Sequence, residues 1–531
     1  MERTQQALTQ LNNDNIRSNK QAAMEMTNLL SYGNKTLDDT FMRILQENTK
    51  IVEPVPLIIK GSLGSFHYHA AGCRKLTVTG FSFPTLSEED AEVLRSIHAY
   101  TGRDPKNVSR YIDMRSSNIS TTLQNLGISS VGIMKKQNPG MPYVRGSCGI
   151  GHYSAALEQM VLAEFNNVSR IFPREDCDSI HTRTCQTAVD EYAKTLRQLS
   201  AWVLENTATE CYLAFEMIQI VSGLSSRLES CTPDLQLPID KALLSIRDTA
   251  KQSLPRLIED TRVGVRNLVS LPPNGGVSPT IDACLGRLAH LTTFYLAPLL
   301  ATLESVGESG WRSSHNPASA MSASSGEELL GKYATDMLEA LVSTLETRAP
   351  IILKNRAIQG ILLANTVSTI NSSINSSALK DRVPSAELQC LHQWRKKGVA
   401  MYIDAWADPA RELRDVIHTN RTSQGGSRQS SGSHGPMDSA AYTKGMNSKD
   451  KDMTRANFQK FTIMFDELLA KHKTYSIELD IKPDIALGVE KLIEPLYARY
   501  WQRYHDLDKG KGKYIKYDPG EITAAIRRTM Q

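Results

Sequence analysis

Val189 to Val203 reads V-D-E-Y-A-K-T-L-R-Q-L-S-A-W-V, with apolar residues at Val189, Tyr192, Leu196, Leu199 and Val203. An α-helix turns about 100° per residue, so these positions share one face. Asp190, Glu191, Lys194, Arg197 and Gln198 cover the others. The stripe predicts a helix packed in a bundle. Cys211, Phe215, Ile218 and Val221 continue the habit, and Ala334, Leu338, Leu341 and Leu345 resume it. Toward the carboxyl end, Phe458, Phe461, Phe465 and Leu468 make one such face. Ile485, Val489, Leu492, Leu496, Tyr500 and Tyr504 make the next. Pro483 suits the first turn of that helix, and Pro495 inside it removes a hydrogen bond and predicts a kink.

Strand signals are weak: aromatic residues are 6% of the chain, and alternating β-branched runs are few. The expected fold class is therefore all-α, an elongated rod of consecutive antiparallel helical bundles. The 531 residues exceed what one compact core holds. Four stretches are expected: 1–150, amino-terminal helices and a first bundle with loops; 151–270, a second bundle; 271–445, a third bundle with mobile insertions; and 446–531, a basic helical domain.

Breaker residues punctuate these stretches. Residues 1–50 predict two helices parted at Gly33, and 52–84 mostly loop. Ser87-Glu88-Glu89-Asp90 predicts an N-cap with acidic residues in the first turn. Val131 to Gly151 predicts a long flexible connection, Leu271 to Pro279 a loop, and Ile281 to Val306 a helix pair. Ser313 to Gly326 predicts a mobile insertion, and Asn371 to Ser377 a turn or disordered tip. Arg421 to Gly435 is too polar to bury itself and marks the best domain boundary.

No run of about eighteen apolar residues is present, so no helical membrane span is expected. The amino end M-E-R-T-Q-Q-A-L is polar and reads as no signal peptide. Eight cysteines lie scattered without a paired framework, which fits a reducing cytosol. Cys177, His181 and Cys185 are spaced four apart and would share a helical face. Structural zinc wants four ligands, usually with C-x-x-C spacing, so ordinary packing is the reading. His67, His69 and Cys73 get the same reading. Gly146-Ser147-Cys148-Gly149-Ile150-Gly151 lacks the lysine and hydroxyl of a phosphate loop. No catalytic constellation is visible, so no enzyme, cofactor or metal is expected. Trp394-Arg395-Lys396-Lys397 reads as a solvated helix edge.

The candidate site lies near the carboxyl end. Arg499, Arg503, Lys509, Lys511, Lys513 and Lys516 fall in one short segment, against Asp506 and Asp508. Tyr500, Tyr504, Tyr514, Ile515 and Tyr517 interleave with them. Apolar groups can anchor such a segment while the cations stay in water. The formal net charge is only +4, so the placement of charge matters more than its total. The segment suits a phosphoinositide-bearing membrane or a nucleic acid, and a solvated basic loop remains the plain alternative.

Several motifs make the chain specific. F-x-x-F-x-x-x-F-D-E-L from Phe458, H-K-x-Y from His472, P-L-Y-x-R-Y from Pro495 and K-Y-I-K-Y-D-P from Lys513 occur in order. L-L-S-Y-G-N-K-T-L-D-D-T-F from Leu29 and F-P-T-L-S from Phe83 precede them. With these the chain resembles the seventy-kilodalton subunit family of the exocyst, a tethering complex. The resemblance implies a rod of stacked helical bundles that helps hold secretory vesicles at the plasma membrane. It implies a cytoplasmic protein, peripheral at the plasma membrane at sites of polarised secretion. It implies other exocyst subunits, Rho-family GTPases and phosphatidylinositol 4,5-bisphosphate as partners, and no nucleic acid. The family's lipid-contacting K-x-x-K element maps onto Lys513 and Lys516. Lys511, Lys509, Arg503 and Arg499 join by proximity, with Arg527 and Arg528 as flanks. Family members begin with a long coiled coil, whereas Met1 enters where that segment ends. The expectation is a truncated or incomplete form, in which pairing through the coil is not carried over. The glycine-rich D-L-D-K-G-K-G before Lys513 predicts a more mobile patch than is usual in the family.

Overall fold

The structure is a computed structural model. It describes residues 2–13, 20–62, 81–135, 141–229, 232–312, 325–377, 379–383, 388–414, 439–444, 446–508 and 512–530. Among these the regular structure is helical, with no strand. The α-helices are α1 Glu2–Asn13, α2 Lys20–Glu47, α3 Pro54–Ser62, α4 Glu88–Tyr100, α5 Pro105–Gly132, α6 Ile150–Ile171, α7 Arg174–Glu205, α8 Thr207–Glu229 and α9 Pro233–Arg266. They continue with α10 Pro279–Phe294, α11 Leu296–Val306, α12 Gly326–Ile352, α13 Arg356–Asn375, α14 Gln389–Ile403, α15 Ala407–Glu412, α16 Ser439–Lys444, α17 Ser448–His472, α18 Lys482–Tyr504 and α19 Pro519–Met530. The chain forms two compact units, Met1–Arg256 with Ala297–Thr302, and Leu257–Leu296 with Leu303–Gln531. The fourfold division drawn from the sequence is finer than this twofold one.

In the first unit α5, α6, α7 and α8 pack on one another. The Val189 stripe lies at their centre, and all five of its residues are fully buried. Charge is buried there too. Arg115 Nη2 donates to Glu164 Oε2 at 2.7 Å, and Tyr111 donates to Oε1 of the same carboxylate at 2.8 Å. Arg115 Nη1 reaches the carbonyl of Asn48 at 3.1 Å. Asn167 donates to Glu164 and accepts from the amide of Leu86. A buried ion pair survives only when its remaining hydrogen bonds are also made. Here those bonds fix the end of α2 and the approach to α4 onto α5 and α6.

Local expectations meet mixed outcomes. The Ser87 cap forms as read, its hydroxyl accepting from the amide of Asp90 at 3.0 Å. Gly33 does not break the first segment, because α2 runs through it. An interior glycine costs only about 1 kcal/mol, and burial of Phe41, Ile44 and Leu45 anchors the helix beyond it. Within the 52–84 stretch, read as mostly loop, α3 is helix and 81–84 is loop. Pro54 and Pro56 occupy the first turn of α3, where no intrahelical N–H bond is lost. Residues 63–80, with His67, His69 and Cys73, lie outside the described residues.

The Val131–Gly151 connection is tied down over 141–149. Tyr143 and Cys148 are buried, and the Tyr143 amide donates to Thr209 O at 2.8 Å. The Gly146 amide donates to both Glu216 oxygens, at 3.0 and 3.2 Å. Gly149 takes φ 74° as the residue that starts α6, a conformation that favours glycine. Asn371 to Ser377 is largely helix, since α13 continues to Asn375. Of the Ser313–Gly326 insertion, Ser325 caps α12 and Gly326 starts it, while 313–324 and the boundary at 421–435 lie outside the described residues.

In the second unit one apolar core runs from Ala357, Ile361, Val399, Tyr402 and Trp406 to Phe458, Phe465, Tyr497, Ile526 and Met530. Helices α13 to α15 therefore share a core with α17 to α19. α13 and α14 touch backbone to backbone: a Cβ on Gly360 would lie 2.4 Å from the carbonyl oxygen of Gly398. The reverse substitution would put a Cβ 2.6 Å from Gly360 O. Asn365 on α13 donates to Gly275 O at 2.7 Å and Ser476 O at 2.6 Å, and accepts from the Glu478 amide at 3.1 Å. On α18 Ile485, Val489, Tyr500 and Tyr504 are buried as expected, whereas Leu492 and Leu496 are half-buried and Ile493 and Tyr497 lie deeper. α18 packs against α14, α16 and α19, so its apolar face is wider than one stripe.

Gly398→Ala should destabilise this unit by roughly 2–3 kcal/mol, because neither helix backbone can yield to the added methyl. A urea unfolding midpoint unchanged from wild type would rule that packing out. His472 gives a second prediction. It is buried, its Nδ1 lies 2.6 Å from the Tyr402 hydroxyl, and burial, aided by Lys482, pulls its pKa from 6.5 down to about 4. Between those values the unfolded chain binds a proton that the folded chain refuses. Stability is thus fully present above pH 6.5 and falls as pH drops toward 4, by about 1.4 kcal/mol per pH unit. His472→Gln should remove that slope when urea unfolding is compared at about pH 7 and about pH 5.

Candidate functional site

The site is built on the hairpin of α17 and α18 and on the segment 512–518 that leads into α19. Phe458 and Phe461 on α17 meet Tyr497 and Tyr500 on α18, with ring centroids 4.8–6.1 Å apart. This aromatic layer gives segment 512–518 a surface to lie on. Gly512 turns the chain with φ 63°. The Tyr514 amide then donates to the buried Asp508 carboxylate at 3.1 Å. The Arg455 guanidinium lies 5.2 Å from the centroid of the Tyr514 ring. Further on, Tyr497 donates to the carbonyl of Tyr517 at 2.6 Å, and the Tyr517 ring meets Phe465 edge-on.

The exit from the segment is a reciprocal cap. Asp518 accepts from the Glu521 amide at 2.7 Å, and Glu521 accepts from the Asp518 amide at 2.9 Å. That exchange satisfies donors that the start of α19 would otherwise leave open. Segment 512–518 is thus a strap pinned at both ends and in the middle.

The cations sort themselves along and around this strap. Lys513 is exposed, and its ammonium lies 5.2 Å from the centroid of the Tyr514 ring. Among the described residues no carboxylate pairs with it. Lys516 is also exposed, but its Nζ donates to Asp466 Oδ2 at 2.6 Å. The other oxygen of Asp466 accepts from the Tyr517 hydroxyl at 2.6 Å. The bond to Asp466 raises the Lys516 pKa. The Tyr517 hydroxyl is raised as well, by burial first and then by the same carboxylate.

The strap therefore brings Lys513 and Lys516 together on one segment. The arginines of α18 stand on a different element. Arg499 is exposed, and it follows by two residues Tyr497, which holds the strap. Two residues on a helix are a turn of about 200°, so Arg499 projects from another side. Arg503 is half-buried, and its carbonyl accepts from Ser439. Lys509 and Lys511 lie outside the described residues. Of the flanks, Arg527 is paired with Glu490 at 2.5 Å, and Arg528 is exposed on α19.

Sequence reasoning missed Asp466, which comes from fifty residues upstream of Lys516. Its sequence signal is its place beside Phe465, within the F-D-E-L of the quoted motif and at the edge of the apolar face of α17. Which cation it meets depends on where the strap returns.

The other flagged residues are structural. Cys177, His181 and Cys185 are buried on α7. His181 Nε2 lies 2.9 Å from Val161 O, and its ring meets Phe165 edge-on. The Cys177 thiol donates to backbone carbonyls, and burial pushes the Cys185 thiol well up. Among the described residues no group of three or more His, Cys, Asp or Glu is arranged to hold a metal ion. Nor is any helix there long and apolar enough to cross a membrane. Arg395 is not a free edge cation, since it bridges Asp480 at 2.7 Å and Asp484 at 2.8 Å. Lys397 pairs with Glu346.

Residues 147–528 match the family described as the C-terminal part of the Exo70 exocyst complex subunit. The chain belongs to the Exo70 family. It is 34% identical to the exocyst complex protein exo70 of Neurospora crassa over 99% of this chain and 82% of that protein. The corresponding protein of Gibberella zeae is 34% identical over the same shares. The crystal structure of the S. cerevisiae exocyst component Exo70p superposes with a TM-score of 0.69 at 16% identity, covering 100% of this chain and 94% of that one. A second S. cerevisiae Exo70 structure gives a TM-score of 0.62 at 17% identity, over 96% of this chain and 88% of that one. The all-α fold of those structures is thus the fold of this Exo70-family chain.

Tyr497→Phe keeps the aromatic layer and removes only the bond to the Tyr517 carbonyl. It should loosen the strap by about 1 kcal/mol, so that the Tyr514 amide exchanges with solvent about fivefold faster. Unchanged exchange at that amide would show that the strap does not depend on Tyr497.

Proposed function

We propose that this Exo70-family chain serves an exocyst assembly by docking it on the plasma membrane, without catalysis. Other exocyst subunits and Rho-family GTPases are its protein partners in this reading, as the family resemblance implies. Phosphatidylinositol 4,5-bisphosphate in the membrane is its lipid partner. The protein is then peripheral, held at sites of secretion where vesicles are tethered before fusion.

The observation that carries the reading is Lys513: an exposed ammonium, without a paired carboxylate among the described residues, on a strap anchored to the aromatic layer of the last bundle. The backbone that carries this cation is already held, so little of the strap has to order when a phosphate meets it, and Lys516 is presented on the same strap. Each basic residue near an anionic leaflet contributes about 1 kcal/mol. The contact is weak alone, reversible and salt-sensitive, as a releasable tether requires.

Flotation with liposomes that contain the bisphosphorylated lipid tests the reading. Lys513→Ala should bind about fivefold more weakly, and the Lys513→Ala/Lys516→Ala double variant about thirtyfold more weakly. Undiminished flotation of the double variant would move the lipid site elsewhere.

A further inference from the structure

Among the described residues, Asp466 is the acid that pairs with Lys516, and it uses both oxygens on the strap. Oδ2 holds the Lys516 ammonium at 2.6 Å, and Oδ1 holds the Tyr517 hydroxyl at 2.6 Å. The pair is open to water: the Lys516 side chain is 55% exposed and that of Asp466 is 35% exposed. An ion pair in that setting is weak and exchangeable. The Tyr517 arm differs, because Tyr517 is also fixed through its carbonyl and its ring. Asp466 therefore has a permanent partner on one oxygen and a removable one on the other.

We propose that Asp466 is the resident counter-ion of Lys516 and yields it only to a phosphomonoester, which makes Asp466 a specificity-determining residue of the membrane site. This rests on the lipid-docking reading above and deepens it. A phosphomonoester carries between about 1.5 and 2 negative charges and three acceptor oxygens at neutral pH, against one charge on a carboxylate. It can therefore take the ammonium from Asp466. A singly charged lipid group offers Lys516 nothing better than the partner it has. Lys513, with no such competitor among the described residues, meets either kind of lipid. The strap thus carries one unconditional cation and one conditional cation.

The test uses the full chain and two sets of vesicles matched in surface charge, one with phosphatidylinositol 4,5-bisphosphate and one with phosphatidylserine alone. In the wild-type background Lys516→Ala should weaken binding to the bisphosphate vesicles about fivefold more than binding to the phosphatidylserine vesicles. In an Asp466→Asn background, where Lys516 is free for any anion, the two losses should become equal. Tyr517→Phe removes the hydroxyl's contacts with Asp466 and with Lys516 but keeps the Asp466–Lys516 pair, and it should leave the wild-type difference in place. Equal losses on both vesicles in the wild-type background would overturn the counter-ion role while leaving the lipid reading intact. Failure of the wild-type chain to float with either vesicle would overturn the lipid reading, and this inference with it.

Discussion

The contact between Gly360 and Gly398 is the constraint on which the second unit depends. Neither residue has room for a side chain, so α13 and α14 meet at the separation of their backbones. That closeness lets α13 be buried on every side: Ile361 through Val367 form an unbroken buried run. A helix enclosed in this way cannot show a single apolar stripe. Around it the core continues through Tyr402 and Trp406 to Phe458, Phe465 and Tyr497. The strap lies on the last of these rings, so the placement of its lysines follows from how tightly two helices far upstream can approach.

Much of this architecture could be read from residue order, and the misses share a cause. The Val189 stripe, the Ser87 cap, the aromatic face of α17 and the proline start of α18 are local patterns, and local patterns carry their own signal. Gly33 misled because burial further along α2 offsets its cost, and the prolines of α3 because a first turn has no hydrogen bond for them to remove. The segment at 141–149 looked loose for its glycines, yet its amides are claimed by Thr209 and Glu216. The candidate site was legible as a list of cations and illegible as a surface. The resemblance singled out Lys513 and Lys516 among the cations, but residue order could not show that α17 supplies an acid to Lys516.

That acid changes what a basic segment means. Counted along the chain, the strap is a block of positive charge. In the fold, Asp508 takes its backbone, Asp466 takes one of its ammonium groups, and Asp518 and Glu521 close its far end. Much of the charge near it is thus engaged in holding the strap's shape, which is a condition for presenting the remainder at a fixed place. Charge totals over a short window overstate such a site, and the geometry of its anchors describes it better.

Asn365 has a bearing on synthesis. Its three partners sit 90 residues before it and 111 and 113 residues after it. A nascent chain that has emerged only through α14 offers this amide the first of them alone. The side chain oxygen stays without its Glu478 donor until translation passes that residue, and the loop to be closed is long. The ribosome must therefore release α17 and the turn after it before the amide at the centre of the unit can find all three partners.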